Sequence, residues 1–412
     1  MNLRYQGKRL TLGITGGIAA YKVPELVRML TKEGIEVFPV ATVRSLEFVT
    51  PLVLETLSGN PVLRSQKLEH AQIGHIERAQ SVDGILVAPA TANTLAKMAQ
   101  GIADNVLLDI LLASDPKRVI VCPAMNTAMW EHPATRQNIE KIKGYGVYVV
   151  GPDVGELACK TSGAGRLAPL DEILYAVERL LAPKGLEGRR VVVTAGPTRE
   201  HVDAVRFLSN PSSGKMGIAL AKECWYRGAD VTLVLGPSDH PVPKEIRLER
   251  VTSALEMLEA LQGLLSEATI LIMNAAVADF RPSRVVPYKF RKADIPLTLL
   301  LEPNPDILKT LAASKLPNQL FVGFAAETDG DRAIATAKRK LEEKSLDMIV
   351  ANDVSKKTAG FGSAFNAGVI LLKTGEPRVL AHMSKEAMAA RIVDEIVHLA
   401  AQTFPSPLQA RR

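Results

Sequence analysis

KRLTLGITGGIAAYKVPELVRML, residues 8–30, decides how the chain folds. It opens as an apolar run of strand length that stops at Thr15-Gly16-Gly17. Beyond the turn, apolar residues return at helical spacing, at Val23, Leu26, Val27 and Leu30. A strand that enters a glycine turn and leaves it as a helix is the opening unit of a doubly wound α/β domain. GRRVVVTAGPTRE, residues 188–200, begins alike, with a basic pair, a strand and a glycine turn. Between the two openings lies LLAPKGLEG, residues 180–188, a Pro/Gly connector of the sort that separates domains. The boundary is therefore placed near residue 185. This predicts domains over residues 1–184 and 185–402 and a polar, proline-bearing tail over 403–412.

Each half alternates strand and helix. The first predicts strands at 8–14, 35–41, 84–88, 118–122 and 146–150. The second predicts them near 190–194, 230–235, 269–273, 320–323 and 347–350. The fold class is α/β, two doubly wound Rossmann-like domains with parallel sheets, each suited to a nucleotide or cofactor. Such an architecture names no reaction by itself.

A chain of 412 residues, 47% hydrophobic and 23% charged, is in the range of a soluble two-domain protein. Its net charge of +6 is spread along the chain, with no basic run dense enough for a nucleic-acid face. No apolar stretch approaches the ~20 residues of a membrane span, and the N-terminus reads as a first strand, not a signal peptide. Cys122, Cys159 and Cys224 are odd in number and far apart, with no C-x-x-C, and so indicate neither a disulfide framework nor a zinc site. The reducing cytoplasm is the expected compartment. Cys122, at a strand end, and Cys224, in an apolar helical stretch, read as core. Cys159 differs: GELACKTSGAGR, residues 155–166, is a glycine loop with Lys160 and Arg166 nearby, the setting of a working thiol.

Three loops of the first half fall at successive strand ends. TGGIAAYK, residues 15–22, brings a glycine turn to a helix start, where backbone N–H groups meet an anion. APATANTLAKMAQGIADN, residues 88–105, adds the hydroxyls of Thr91 and Thr94, and CPAMNTAMW, residues 122–130, adds Asn126 beside a Met/Trp wall. Together they form a crevice for one flat, phosphorylated cofactor. Asn126 also reads as a turn or cap residue, and His75, in IGHIERA, more ordinarily as a surface or capping histidine.

GITGGIAAYK, the histidine followed by APATANT, PAMNTAMW and LAC..SGAGR stand in this order over nearly all of residues 8–180. In this combination the first half resembles the flavin-dependent decarboxylases that act on cysteine carboxyl groups. The resemblance implies a flavodoxin-like domain holding FMN through Gly16, Gly17, Thr42, Thr91, Asn93 and Thr94. It implies His75 as the active-site histidine and Asn126, with Met129, as the substrate grip. Cys159 would be the flap thiol that donates a proton, with Lys160 where a glycine is more usual. Losing CO2 from a cysteine amide requires an electron sink. In the implied mechanism the flavin takes a hydride from the thiol-bearing carbon, decarboxylation of the thioaldehyde gives an enethiolate, Cys159 protonates it, and the hydride returns. A thiol of ordinary pKa, ~8.5, suits that acid.

In the second half, VTAGPTREHVDAVRFLSNPSSGKMGIALA, residues 193–221, is glycine-punctuated before its helix; SSGKMG is not a Walker loop but offers backbone donors at a helix start. NAAVADFRP, residues 274–282, places Asp279 just past a strand end. Basic residues follow in YKFRK and KRKLEEK, where Lys340 and Lys344 share a helix face; a solvated surface is the ordinary reading of these. With FLSNPSSGKMG, NPDIL, VGFAAET and ANDVS, the region from 188 to 400 resembles phosphopantothenate–cysteine ligase. Joined to the decarboxylase, it has the arrangement of the bacterial bifunctional coenzyme A biosynthesis family. That family implies ligation of cysteine to 4′-phosphopantothenate through an acyl-cytidylate made from CTP, then decarboxylation to 4′-phosphopantetheine.

The resemblance places Asn210, Ala275 and Ala276 at the ligase substrate. It places Met273, Asn274, Ala275, Asp279, Lys289, Phe324, Lys340 and Lys344 at CTP, and Mg²⁺ or Mn²⁺ at Asp279. Where K-I-K-K is frequent this chain has KFRK, which keeps Lys289 and the charge at Arg291. Small-molecule substrates, no nucleic acid, no membrane and a homo-oligomer are implied, with trimeric decarboxylase and dimeric ligase contacts that a dodecamer would combine. Two other readings are a non-catalytic flavoprotein and a pyridine-nucleotide oxidoreductase. The first is disfavoured because His75, Asn126 and Cys159 are all in place, the second because the full glycine fingerprint is missing.

Overall fold

The structure, a computed structural model, describes residues 4–64, 74–156, 162–289, 298–327, 330–353 and 363–404. It divides into two compact units, Met1–Ala182 and Pro183–Arg412.

In the first unit the opening strand is Arg9–Ile14 (β1), followed by Glu36–Ala41 (β2), Gly84–Ala90 (β3), Val119–Pro123 (β4) and Tyr148–Val149 (β5). All pair in parallel, in the order β2-β1-β3-β4-β5. This is the flavodoxin-like order, which reverses direction between β1 and β3. Every residue of β3 is buried, because helices cover both faces of the sheet. The helix Val23–Lys32 turns Val23, Leu26, Val27 and Leu30 inward, as its spacing predicts, and starts with a proline in its first turn. Each such buried side chain contributes about 1.5–3 kcal/mol. Asp83, just before β3, accepts from Lys8 Nζ and from Arg9 N–H, both at 2.8 Å, which ties the starts of β1 and β3 together.

The strands lie close to their predicted positions, except that β5 is shorter than 146–150. Gly146 has φ of +101° and Val147 N–H donates to Ile142 O, so these residues terminate the preceding helix instead of starting the strand. The glycine loop around Cys159 also departs from its reading as loop throughout: Asp153–Glu156 (β6) and Ser162–Arg166 (β7) form an antiparallel pair. Glycine-rich residues weaken a strand intrinsically; here pairing and a close neighbour hold them extended. Residues 157–161, with Cys159 and Lys160, lie outside the described residues.

The second unit's main sheet begins with Arg190–Ala195 (β8). Two short ribbon strands follow, Arg199–His201 (β9) and Phe207–Ser209 (β10), and then Asp230–Leu235 (β11), Arg247–Arg250 (β12) and Ile270–Met273 (β13). A second ribbon, Phe280–Pro282 (β14) and Leu301–Pro303 (β15), precedes Leu320–Glu327 (β16), Met348–Asp353 (β17), Phe365–Leu372 (β18) and Arg378–Ser384 (β19). The sheet runs β12-β11-β8-β13-β16-β17-β18-β19. Its first six strands are parallel and have the Rossmann order, with the switch point between β8 and β13. The last two are antiparallel, a correction to the all-parallel expectation. A short turn containing Gly375 at φ +103° joins them, too short a connection for a parallel crossover.

The helix Lys215–Tyr226 packs directly on β8, since a Cβ at Gly217 would lie 2.5 Å from Ala195 Cβ. Buried Arg227, just past that helix, bonds Glu223 at 2.8 Å and reaches Asp394 at 2.5 Å on the C-terminal helix Lys385–Thr403. Phe404, assigned to the frayed tail, is instead buried, with the Arg189 guanidinium 4.5 Å from its ring centre.

Candidate active sites

The reversal of strand order between β1 and β3 leaves a crevice at the strand ends, and Thr15 shapes it. Its buried hydroxyl donates to Pro89 O at 2.7 Å and accepts from Thr91 N–H at 3.1 Å, joining the ends of the two strands. Thr91 then caps the helix Ala92–Gln100, accepting from Thr94 N–H, with the two hydroxyls 3.1 Å apart. At the end of β4, Asn126 caps the short helix Thr127–Glu131, its Oδ1 accepting from Ala128 N–H at 2.8 Å.

These loops enclose a cleft of about 740 Å³. Gly16, Gly17, Thr91, Asn126 and Met129 line it, together with Tyr21, Lys22, Glu156 and Arg166. The first five were expected from the sequence. The rim residues were not, although Tyr21 and Lys22 belong to TGGIAAYK and Glu156 and Arg166 to GELACKTSGAGR. Partial burial, and then the Arg166 guanidinium, hold the Lys22 ammonium below the ordinary lysine pKa, against the pull of Asp153. Thr42 and Thr94 are not cleft-lining: the Thr42 hydroxyl bonds Ile14 O at 3.3 Å, and Thr94 is buried against Thr91. Asn93 faces solvent. His75 belongs to the helix Gly74–Gln80, but its side chain, like Cys159, lies outside the described residues. Cys122 and Cys224 are buried, as expected, and burial pushes both thiols far above the usual range.

At the second switch point the loop after β13 is held by four side chains. Buried Thr194 accepts from Asn274 N–H and Ala275 N–H, each at 3.0 Å. Buried Thr198 accepts from Ala278 N–H at 3.0 Å. Asn304 donates to Ala278 O at 2.8 Å. Asn210 reaches the same loop, its amide donating to Ala276 O at 3.3 Å and Val277 O at 3.1 Å. Asn210, Ala275 and Ala276 are thus brought together, next to the end of β13 with Met273 and Asn274. Gly214, in the left-handed region at φ +79°, starts the helix Lys215–Tyr226 with no side-chain cap, so its first N–H groups are a preformed anion site.

Lys344 forms an ion pair with Asp306 at 2.7 Å, and Asp306 caps the helix Ile307–Ala312 by accepting from Lys309 N–H. Burial raises the Asp306 pKa, but the Lys344 hydrogen bond and the backbone donor outweigh it and hold the carboxyl below its usual range. Phe324 is half-buried on β16, and Lys289 and Asp279 are exposed. Among the described residues no group of three or more Asp, Glu, His or Cys side chains is placed to hold a metal. Nor is any helix among them long and apolar enough to cross a membrane. Thr194, Thr198, Asn304 and Asp306 carry functional geometry without having been singled out. Only Asp306 had a signal, in the aspartate-before-helix pattern of NPDIL.

Two family models divide the chain as its fold does: the flavoprotein family over residues 2–182 and the DNA/pantothenate metabolism flavoprotein C-terminal domain over 186–399. The chain is 42% identical over 394 residues to the coenzyme A biosynthesis bifunctional protein CoaBC of Vibrio vulnificus strain YJ016, covering 95% of this chain and 97% of that one. It is 42% identical over 397 residues to that of Escherichia coli K12, at the same coverages. The Bacillus subtilis protein is 42% identical over 402 residues, covering 96% and 98%. The solved C-terminal domain of a coenzyme A biosynthesis bifunctional protein CoaBC is 39% identical, with 52% of this chain and 97% of that one covered and a TM-score of 0.45. Full-length identity and both domain matches establish that the chain belongs to the bifunctional coenzyme A biosynthesis family, a phosphopantothenoylcysteine decarboxylase joined to a phosphopantothenate–cysteine ligase.

Proposed function

We propose that the second unit ligates cysteine to 4′-phosphopantothenate with CTP and Mg²⁺, and that the first decarboxylates the product with FMN in the cleft at its switch point. The observation that carries this reading is the convergence of Gly16, Gly17, Thr91, Asn126 and Met129 on one cleft at the β1/β3 reversal. The residues present fit FMN: a glycine end without side chains for the phosphate, apolar walls, and a cleft of about 740 Å³. When bound, FMN supplies the electron sink that accepts a hydride and returns it. Asn126 grips the substrate, with Met129 against its apolar part. Cys159 delivers a proton to the enethiolate carbon and His75 completes the site.

In the ligase the carboxylate of 4′-phosphopantothenate attacks the α-phosphorus of CTP, releasing pyrophosphate and forming the acyl-cytidylate. The cysteine amine then displaces CMP. Asn210 and the loop it anchors, with Ala275 and Ala276, position the acyl group. The uncapped start of the helix Lys215–Tyr226 and Lys289, Lys340 and Lys344 meet the triphosphate. Asp279 is a single exposed carboxylate, which suits a Mg²⁺ held chiefly by phosphate oxygens and water. Met273, Asn274 and Phe324 border the nucleotide. The working form is a homo-oligomer in the cytoplasm.

Mass spectrometry of products from the purified chain given 4′-phosphopantothenate, cysteine, CTP and Mg²⁺ tests both halves. 4′-Phosphopantetheine is expected. Phosphopantothenoylcysteine alone would remove the decarboxylase assignment, and the absence of both products from folded, flavin-bearing protein would remove the ligase assignment.

A further inference from the structure

Gly163, in β7, lies directly against Thr127, the residue after cleft-lining Asn126. A Cβ built on it would stand 2.5 Å from Thr127 Oγ1 and 2.8 Å from Thr127 Cγ2, closer than any real contact. Two residues along, Gly165 has φ of +146°, and a Cβ there would stand 2.2 Å from Met125 O. Met125 N–H also donates to Gly165 O at 2.9 Å. Bare backbone of β7 therefore rests on residues 125–127, with no β7 side chain between, and Asn126 is the middle residue of that segment.

Beneath the strand Thr127 Oγ1 is sealed from solvent, with no hydrogen-bond partner among the described residues. The seat of the strand on Thr127 is therefore one of steric contact, with no hydrogen bond from its hydroxyl.

We propose that Thr127 is a positioning residue for decarboxylation. Through its contact with Gly163, and with Gly165 fixed on Met125, it sets the height of β7 above Asn126. The strand and the substrate grip then hold one geometry. This rests on the decarboxylase reading of the cleft.

The test uses the full-length, flavin-bearing chain with phosphopantothenoylcysteine as sole substrate, and scores 4′-phosphopantetheine by mass spectrometry. Pyrophosphate release in the ligase reaction and flavin absorbance are read on the same preparations. Gly163→Ala should slow decarboxylation by ~10²-fold, the scale of a displacement near 1 Å, with flavin content and ligation unchanged. Adding Thr127→Ala removes both clashing atoms and should recover at least ~10-fold of that loss, a rescue that general damage would not show. A wild-type rate in Gly163→Ala, or a double variant as slow as the single one, overturns the proposal. If Gly163→Ala loses its flavin, Thr127→Leu presses on the same contact from the other side, and undiminished decarboxylation by it overturns the proposal equally. Unsubstituted protein that holds flavin yet forms no product defeats the decarboxylase reading, and the proposal falls with it.

Discussion

Lys344 Nζ stands 2.7 Å from Asp306 Oδ2, so a lysine assigned to the triphosphate is oriented by the residue that caps the helix Ile307–Ala312. Asp306 follows two residues after Asn304, which bonds Ala278 O and, through its own N–H, Asp279 O. Lys344 and the loop after β13 are thereby placed by one short segment.

Asp306→Asn should separate the two roles. Asparagine still caps the helix, but the ion pair is lost. Because the pair is partly exposed, the KM for CTP should rise only about 2–5-fold in steady-state ligation. Asp306→Ala should in addition lower unfolding stability by about 1 kcal/mol in denaturant titration. The Asp306 carboxyl titrates below its ordinary value, so its contribution is complete above the unfolded pKa of about 3.9 and is lost as pH falls through the lowered folded one. Ligation between pH 5 and 8 should therefore show no titration from this group, and a KM that climbs on acidification within that window, in wild type but not in Asp306→Asn, would contradict it.

Lys289→Gln removes one exposed charge that the proposed function gives to the triphosphate, and should lower ligation by ~10²-fold. Decarboxylation of supplied phosphopantothenoylcysteine should be unchanged. Equal loss of both activities, measured on one preparation, would locate the damage in folding and withdraw the assignment.

Cys159→Ser should ligate normally and stall decarboxylation after CO2 loss. Mass spectrometry should find the unsaturated thiol, still lacking the returned hydride and proton. Fully reduced 4′-phosphopantetheine at the wild-type rate would remove the proton-donor role.

Arg227 depends on Glu223 in a buried setting, with Asp394 as a second carboxylate. Glu223→Ala should cost about 3–5 kcal/mol in unfolding stability, because a buried guanidinium loses its main partner. Replacing both Glu223 and Arg227 by leucine and methionine should recover most of it. Thermal melts of the two variants check this; a double variant no more stable than Glu223→Ala would show that the pair matters through packing instead.

Much of this was legible in the chain. Residues 8–30 state strand, turn and helix through local rules alone: apolar period, a glycine turn, and a proline in the first helical turn. The sequence places the loops around Gly16, Thr91 and Asn126 at successive strand ends, and these loops do line one cleft, since glycine turns and polar residues at strand ends are written in sequence. Thr42 and Thr94 passed the same filter and yet spend their hydroxyls on Ile14 O and on Thr91. Composition shows that a hydroxyl is present, and only geometry shows what it bonds.

Strand order, the four side chains holding the loop after β13 and the Lys344–Asp306 pair belong to the tertiary structure. Each depends on residues far apart in sequence that meet only after crossover helices pack. Thr194, for instance, bonds N–H groups about eighty residues away. Period and turn chemistry act within a few residues and so determined the elements, the domain count and the motifs. Which strand ends face one another, and hence which threonine lines a cleft and which meets a carbonyl, was decided when the sheets closed into their two switch points.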